Sequence, residues 1–524
     1  MSQSSAKTLA VGIGALLFNL IFWNEKQGLN VLLFDLFIGG MLFQFNTTSF
    51  KTRSVQLLAS GLLVVDVLLI WHNSLITKTI HVLLFSAVVG LAQQTQLRFL
   101  VMAGLTYGLN IFSVPVNALK SVLDLPILRG QQEARRGLKS VWLSVLIVPI
   151  FFLIYFVANP KFAELSSNAF TYLANLLSFD INLERFYFFV FGFLVVGGTI
   201  WSHNLPVFKS IEDNLSDDLS DNSTLKNSEN PEETPTEEAV KAHAADLQNT
   251  HKNAQNLLIT LNVLLGINNI LDIQNVWFYN NALLSATELK QFVHAGTYVL
   301  IFGIALAIFV LLVLFRGVLN FVKNAQILKG LAYVWLIQNA VLALSVGMRN
   351  WRYIDAYGLA YKRIGVFIFL LLVLFSLGFI YLKIKEKRTL FFFITRSAWT
   401  LYGVLLLACF VNWDAFISTY NLTTATKSGL VDARFLLQDV SDKNLRILME
   451  HRSELFKKMP NKPFSESDDA DFSQPVFDND SAKTAFIDLR IQRKRANFER
   501  EQSTLSWLSW NYPDAQNKAY LKGK

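Results

Sequence analysis

An ionisable side chain inside an apolar run is costly in lipid and is kept there by pairing or by function. Asp35 and Asp66 are the clearest such residues in this chain, each flanked by aliphatics. A third run, "QNLLITLNVLLGINNILDIQNVWF" (Gln255 to Phe278), is unusually polar, and Asn262, Asn269 and Asp272 fall along one helical face of it. Gln338, Asn339 and Arg396 add polar groups to two later runs. The densest constellation is "SVGMRNWRYIDAYGLAYKRIGVF", from Ser345 to Phe367, with four basic residues and an Asp between two long apolar segments. Arg349, Tyr353 and Tyr357 are spaced i, i+4, i+8 and share a helical face. Arg363 lies near the same face if the helix continues, and Gly358 is the expected interruption. Two chemistries fit these groups. One is hydrogen bonding between helices, worth roughly 0.6–2 kcal/mol per contact. The other is a polar pathway or ligand cavity, in which cation coupling would require Asp35, Asp66 and Asp272 to converge. The candidate binding set is therefore Arg349, Tyr353, Tyr357, Arg363, Asp272, Asn269 and Asp66. The positive stripe needs a counter-charge: Asp355, lipid phosphate, the C-terminal tail or an anionic ligand. Plain anchoring by interfacial Tyr, Trp and Arg is the simpler account of it.

Other chemistry is not indicated. There is no phosphate-cradling G-x-x-x-x-G-K-[ST], no H-E-x-x-H zinc pair and no G-x-S-x-G elbow. The seven histidines (His72, His81, His203, His243, His251, His294, His451) are scattered without ligand spacing. Neither a catalytic set, a metal site nor a cofactor is expected. The single cysteine, Cys409, excludes a disulfide framework and a Cys-based zinc site.

The elements that must position these groups are membrane helices. Of 524 residues, 52% are hydrophobic, 16% are charged and 44 are Phe, against about 25% charged in a soluble domain. Apolar runs of about 20 residues recur, each a candidate span. They lie at 8–23, 29–46, 54–71, 77–94, 97–115, 140–158, 186–204, 255–276, 295–317, 329–348, 364–383 and 390–411. All must be helices, because lipid cannot satisfy a bare backbone. The expected fold is all-α: a polytopic bundle of 11–12 spans with a small helical extracytosolic C-terminal domain. The first run is read as a retained span, since no small-residue cleavage site follows it.

Orientation follows Lys and Arg. "LKSVLDLPILRGQQEARRGLKS" carries five, the margins of the loop near Lys323 add Arg316 and Lys329, and "KIKEKR" carries four. These loops should be cytosolic, which places the tail outside. Lys51, Arg53 and Arg98 also want to be inside, which favours eleven crossings over twelve. Net charge is +8, concentrated beside membrane segments. No basic stretch is interleaved with aromatics in a soluble region, so nucleic acid is not an expected partner. The organisation is N-terminal membrane helices at 1–206, an acidic cytosolic linker at 207–252, further membrane helices at 253–411 and a tail domain at 412–524. The linker is too poor in apolar residues to fold by burial and reads as a disordered tether. In the tail, Ser441 is the expected N-cap of one helix, "AKTAFIDLRIQRKRANFEREQSTLSWLSW" is a second, and Trp507 and Trp510 would rest on the outer membrane face.

The pattern Ser345, Arg349, Tyr353, Tyr357, Gly358, Leu359, Arg363 resembles the signature of a family of bacterial polytopic membrane proteins, domain-of-unknown-function 4153/4173. "LNVLLGINNILDIQNVWF" followed by "LKQFVHAGTYVLI" resembles the stretch before that signature. "NWDAFISTYNL" (Asn412 to Leu422) resembles the family's N-x-D-x-x-I-x-x-x-N element. "LVDARFLLQDVSDKNL" and "LSWNYPDAQNKA" resemble its tail. Ala360 departs from the family, which usually has Thr there. The resemblance covers most of 140–524 and implies a bacterial inner-membrane protein; it implies no reaction.

Three functions fit. The first is a non-enzymatic binder or transporter of an envelope component or small solute. The second is a sensor or scaffold whose outer tail and cytosolic linker engage protein partners. The third is a lipid-linked transferase, disfavoured because the first outer loop, "NEKQG", offers only Glu25. The expected partners are the lipid bilayer, an anionic lipid or envelope component, and a protein at the tail or linker.

Overall fold

The computed structural model describes residues 3–123, 155, 158–176, 182–201, 215, 217–218, 237–278, 286–316, 320, 325–424, 431–459 and 477–523. The fold is helical without strands among them. In chain order the helices are α1 (Gln3–Phe22), α2 (Leu29–Phe45), α3 (Arg53–His72), α4 (Leu75–Gln93), α5 (Leu100–Leu123), α6 (Pro160–Leu176) and α7 (Leu183–Ile200). They continue as α8 (Glu237–Asp272), α9 (Ala286–Leu314), α10 (Ala325–Tyr357), α11 (Tyr361–Lys385) and α12 (Leu390–Ala408). The tail holds α13 (Trp413–Thr423), α14 (Leu445–Glu450), α15 (Arg452–Lys458), α16 (Asp480–Thr504) and α17 (Tyr512–Lys522).

Nine of the described helices are long and apolar enough to cross a membrane, and α2 and the second half of α9 are shorter apolar helices. This is the pattern of a multi-pass membrane protein. Most of the expected spans fall on these helices; the one at 140–158 lies almost wholly outside the described residues. Many large apolar side chains face outward, such as Leu16, Phe112, Leu264 and Ile337, as helices in lipid require.

Local sequence explains many of the ends. Ser74, Asn182, Thr389 and Asn412 cap α4, α7, α12 and α13, each accepting a backbone N–H with its side chain. Asn73 ends α3 in a left-handed conformation at φ 49°. Gly358, at φ +80°, ends α10. Two helices outrun their apolar cores. The helix α10 continues through Arg349 and Tyr353 to Tyr357, so those three share one helix, while Arg363 lies beyond the Gly358 break on α11. The helix α8 begins at Glu237, inside the stretch expected to be a disordered linker. The Ala- and Glu-rich "EEAVKAHAA" supplies enough helix propensity to extend the span backwards. Earlier in the linker, Asp218 meets Arg388 at 2.5 Å and forms an isolated bridge with it, so that point is tied rather than free.

The chain divides into two compact units. The first comprises 1–210 and 501–518, the second 211–500 and 519–524. The tail is therefore not one separate body.

In the first unit α4 packs on α3 and α5, α1 on α7, and α5 on α7. Gly90 permits the α4–α5 crossing: a Cβ there would lie 1.7 Å from the Ala103 carbonyl oxygen. The "NEKQG" turn between α1 and α2 is gripped by the tail stretch of this unit. Glu25 accepts the Ser506 N–H at 3.2 Å and the Ser509 hydroxyl, and the Leu29 N–H donates to the Trp510 carbonyl at 3.0 Å. Gly28 leaves room for that approach, since a Cβ would stand 2.6 Å from two carbonyl oxygens. Trp71 stacks on Tyr512 with centroids 4.6 Å apart.

In the second unit α10 is central, packing on α8, α9 and α11. Its apolar core includes Leu258, Leu311, Leu328, Val346, Val373 and Ile380. A second core joins the ends of α10 and α11 to the tail through Ile354, Leu359, Ile364, Ile417, Leu448, Ile487 and Phe498. At its edge the buried Lys494 donates to the Val440 carbonyl at 2.7 Å, and burial pushes its pKa down to about 8.

Candidate functional site

The polar face of α8 meets α10. Asn262 donates to the Leu331 carbonyl at 3.1 Å, Gln338 to the Asn262 side-chain oxygen at 3.2 Å, and Asn269 to the Gln338 carbonyl at 3.0 Å. One turn further, Asp272 accepts the Ser345 hydroxyl at 2.6 Å and is paired with the Arg349 guanidinium. Both charged residues are buried. The counter-charge of the basic stripe therefore includes Asp272, a residue of the other polar segment 77 positions away.

The stripe itself is bound into the end of α10. The Arg363 guanidinium lies over the Tyr353 ring at 4.4 Å, a cation–π contact. It donates to the Tyr357 carbonyl at 3.1 Å and to that of Gly358. Tyr353 and Tyr357 have ring centroids 4.7 Å apart. Asn350 donates to the Arg363 carbonyl at 2.9 Å. Arg363 thus satisfies carbonyls that the helix end leaves open while its charge rests on an aromatic face.

The Asn412–Asn421 element at the start of the tail meets this joint. Asn412 caps α13, accepting the Ala415 N–H at 3.1 Å. Asp414 accepts the Tyr361 hydroxyl at 2.5 Å and the Ser441 hydroxyl. Ile417 is fully buried. Asn421 clamps the turn after α10: its side-chain oxygen accepts the Leu359 N–H at 2.6 Å and its amide donates to the Leu359 carbonyl at 2.8 Å. The two motifs are halves of one structural joint.

A different arrangement occupies the first unit. Asp35 of α2, Asp66 of α3 and His81 of α4 come together, their nearest donor atoms all within 4.8 Å of one another. His81 Nε2 is 2.9 Å from Asp35 Oδ2 and 3.5 Å from Asp66 Oδ1. Asp66 is 0% exposed, and neither of its oxygens has a hydrogen-bond donor among the described residues. Each of the three residues stands six positions from its helix end, about 9 Å inward at 1.5 Å per residue. A cavity of about 240 Å³ adjoins Asp35 between the same helices, walled by Gly39, Gly40, Leu62, Phe85 and Val88. Among the described residues its lining is apolar except at Asp35.

The structure thus places Asp272, Arg349 and Asn269 along one α8–α10 interface and gathers Arg363, Tyr353 and Tyr357 at the end of α10. Of the three carboxylates that cation coupling would need together, Asp35 and Asp66 meet, at His81, and Asp272 belongs to the second unit. His81 is the residue that spacing could not find, because its partners come from two other helices. The absence of ligand spacing among the histidines therefore does not carry the expectation that metal-ligand groupings are lacking. A lone His inside the apolar run of α4 was the available signal.

The pattern of the family described as Domain of unknown function (DUF4153) matches residues 53–451. The chain belongs to that family. The DUF4153 match takes in Asp66, His81, Asp272 and the whole stripe, and Asp35 lies outside it. No curated protein and no solved structure matches the chain significantly.

Proposed function

We propose that this DUF4153 protein is a non-enzymatic membrane protein that binds and moves a small solute, with its working groups in the first unit. The observation that carries this reading is Asp66. A fully buried carboxyl group whose oxygens accept no hydrogen bond among the described residues, with the His81 imidazole 3.5 Å away, costs folding free energy. Such a group inside a membrane bundle marks a binding or relay position. The cavity beside Asp35 gives the solute room. By contrast, Asp272 and Arg349 neutralise each other, which favours a structural role for the stripe over capture of an anionic lipid. The proposed location is a bacterial cytoplasmic membrane with the C-terminal tail in the periplasm, supported by the Lys and Arg distribution along the chain. The bilayer is then the principal partner.

The test is genetic and needs no knowledge of the solute. Cells lacking the protein are complemented with the wild-type chain or with Asp66→Asn, and each strain competes against its parent. Asp66→Asn should reach the membrane at wild-type level yet behave as the deletion. Full complementation by Asp66→Asn would remove this reading.

A further inference from the structure

We propose that Asp35, Asp66 and His81 bind a first-row divalent transition-metal ion. This rests on the reading of the first unit as the working part of the protein and names the ligand class of that site. The donor set is one imidazole nitrogen and two carboxylates, each from a different helix. Metal–ligand bonds of about 2.1 Å place neighbouring donors about 3.0 Å apart in an octahedron and about 3.4 Å apart in a tetrahedron. His81 Nε2 stands at 2.9 Å and 3.5 Å from the two carboxylates, the edges of such a polyhedron. The carboxyl oxygens lie within 4.8 Å of each other, so two acidic groups face one another in a buried place. A dication would draw them together and neutralise them. Asp66, whose oxygens accept no hydrogen bond among the described residues, has lone pairs for it. Three protein ligands leave coordination positions open, as in exchangeable rather than closed structural sites.

The chemistry of the donors sets the class. An imidazole favours zinc, copper, iron or nickel over the all-oxygen demands of magnesium and calcium. Support around the ligands is thin: His81 Nδ1 has no acceptor among the described residues. Sites lacking that outer hydrogen bond lose roughly 10–100-fold in affinity, which suits an ion that must leave again. Ligation also requires Nε2 to give up the proton it shares with Asp35, so binding should release protons.

The experiment uses the full chain in detergent on a histidine-free tag, stripped with chelator and titrated with Co2+ and then Zn2+. Co2+ should produce visible d–d absorption, and Zn2+ should displace it, release protons and raise the thermal midpoint; Mg2+ should do none of these. Asp66→Asn and His81→Gln should each weaken Zn2+ binding at least tenfold. No Co2+ band and no Zn2+ stabilisation in the wild type would overturn the proposal. So would unchanged binding in both variants. If Zn2+ fails to bind while Asp66→Asn still fails to complement, the metal is wrong and the solute-moving reading survives, with the proton as the ion. If Zn2+ binds but Asp66→Asn complements fully, the site stands and the functional reading falls.

Discussion

Arg349 and Asp66 are both buried charged residues within candidate spans, and they obey opposite logic. Arg349 is matched by Asp272; removing one member of a buried pair leaves the other uncompensated, at about 3–5 kcal/mol. Arg349→Met alone should therefore destabilise the protein by that order in detergent unfolding. Arg349→Met combined with Asp272→Leu should recover most of it, because apolar residues of similar volume replace a buried pair at little cost. A ligand-capturing arginine would behave otherwise: its loss would leave unfolding unchanged, and the double variant would show no rescue. The stripe was legible as a helical face from its i, i+4, i+8 spacing. Its partner was visible only as another isolated charge, since nothing local relates position 272 to position 349.

At the scale of elements, the turn from α10 to α11 is the joint that the 345–363 and 412–421 stretches build. Gly358 is needed for its positive φ and for space, because a Cβ there would lie 2.5 Å from the Asn421 side-chain oxygen. Asn421 supplies both hydrogen bonds of Leu359. Asn421→Ala leaves a buried N–H and C=O without partners, costing about 1–3 kcal/mol. It should lower the thermal midpoint and speed proteolysis near 412–424, while membrane insertion, set by span hydropathy, is unaffected. Cleavage no faster than in the parent would show that α13 is held by other contacts. Gly358 could be read from the sequence as a helix stop. The clamp could not, because Asn421 lies 62 residues away on another helix. The end of α10 at Gly358 was legible as that stop, whereas the start of α8 was not legible, because Ala and Glu carry that helix back beyond its apolar core.

For the whole molecule, the distribution of Lys and Arg predicts the side of each loop. A reporter fused at Lys209 should read as cytosolic, and one fused after Lys524 as periplasmic. The reversed pair of results would invert the orientation, and matching results at both points would change the number of crossings between them. The division into two compact units falls at Ser210, within the acidic stretch chosen as the linker, and 501–518 joins the first unit. The tail's composition gives no sign of that division: Glu501 sits inside α16, a continuous helix, so no break in the sequence pattern marks it.

Hydropathy alone determined that this chain is a multi-pass helical membrane protein, and its signature residues alone placed it in its family. Insertion depends on the sum of local transfer energies, which a window of the sequence contains. Tertiary structure decided which charges meet: Asp272 with Arg349, and Asp35 and Asp66 with His81. A helix surrounded by lipid is apolar on its outer face as well as its inner one, so periodicity does not say which way it turns. That rotation, set by packing against neighbouring helices, decided which polar groups became a structural joint and which became a candidate ion site.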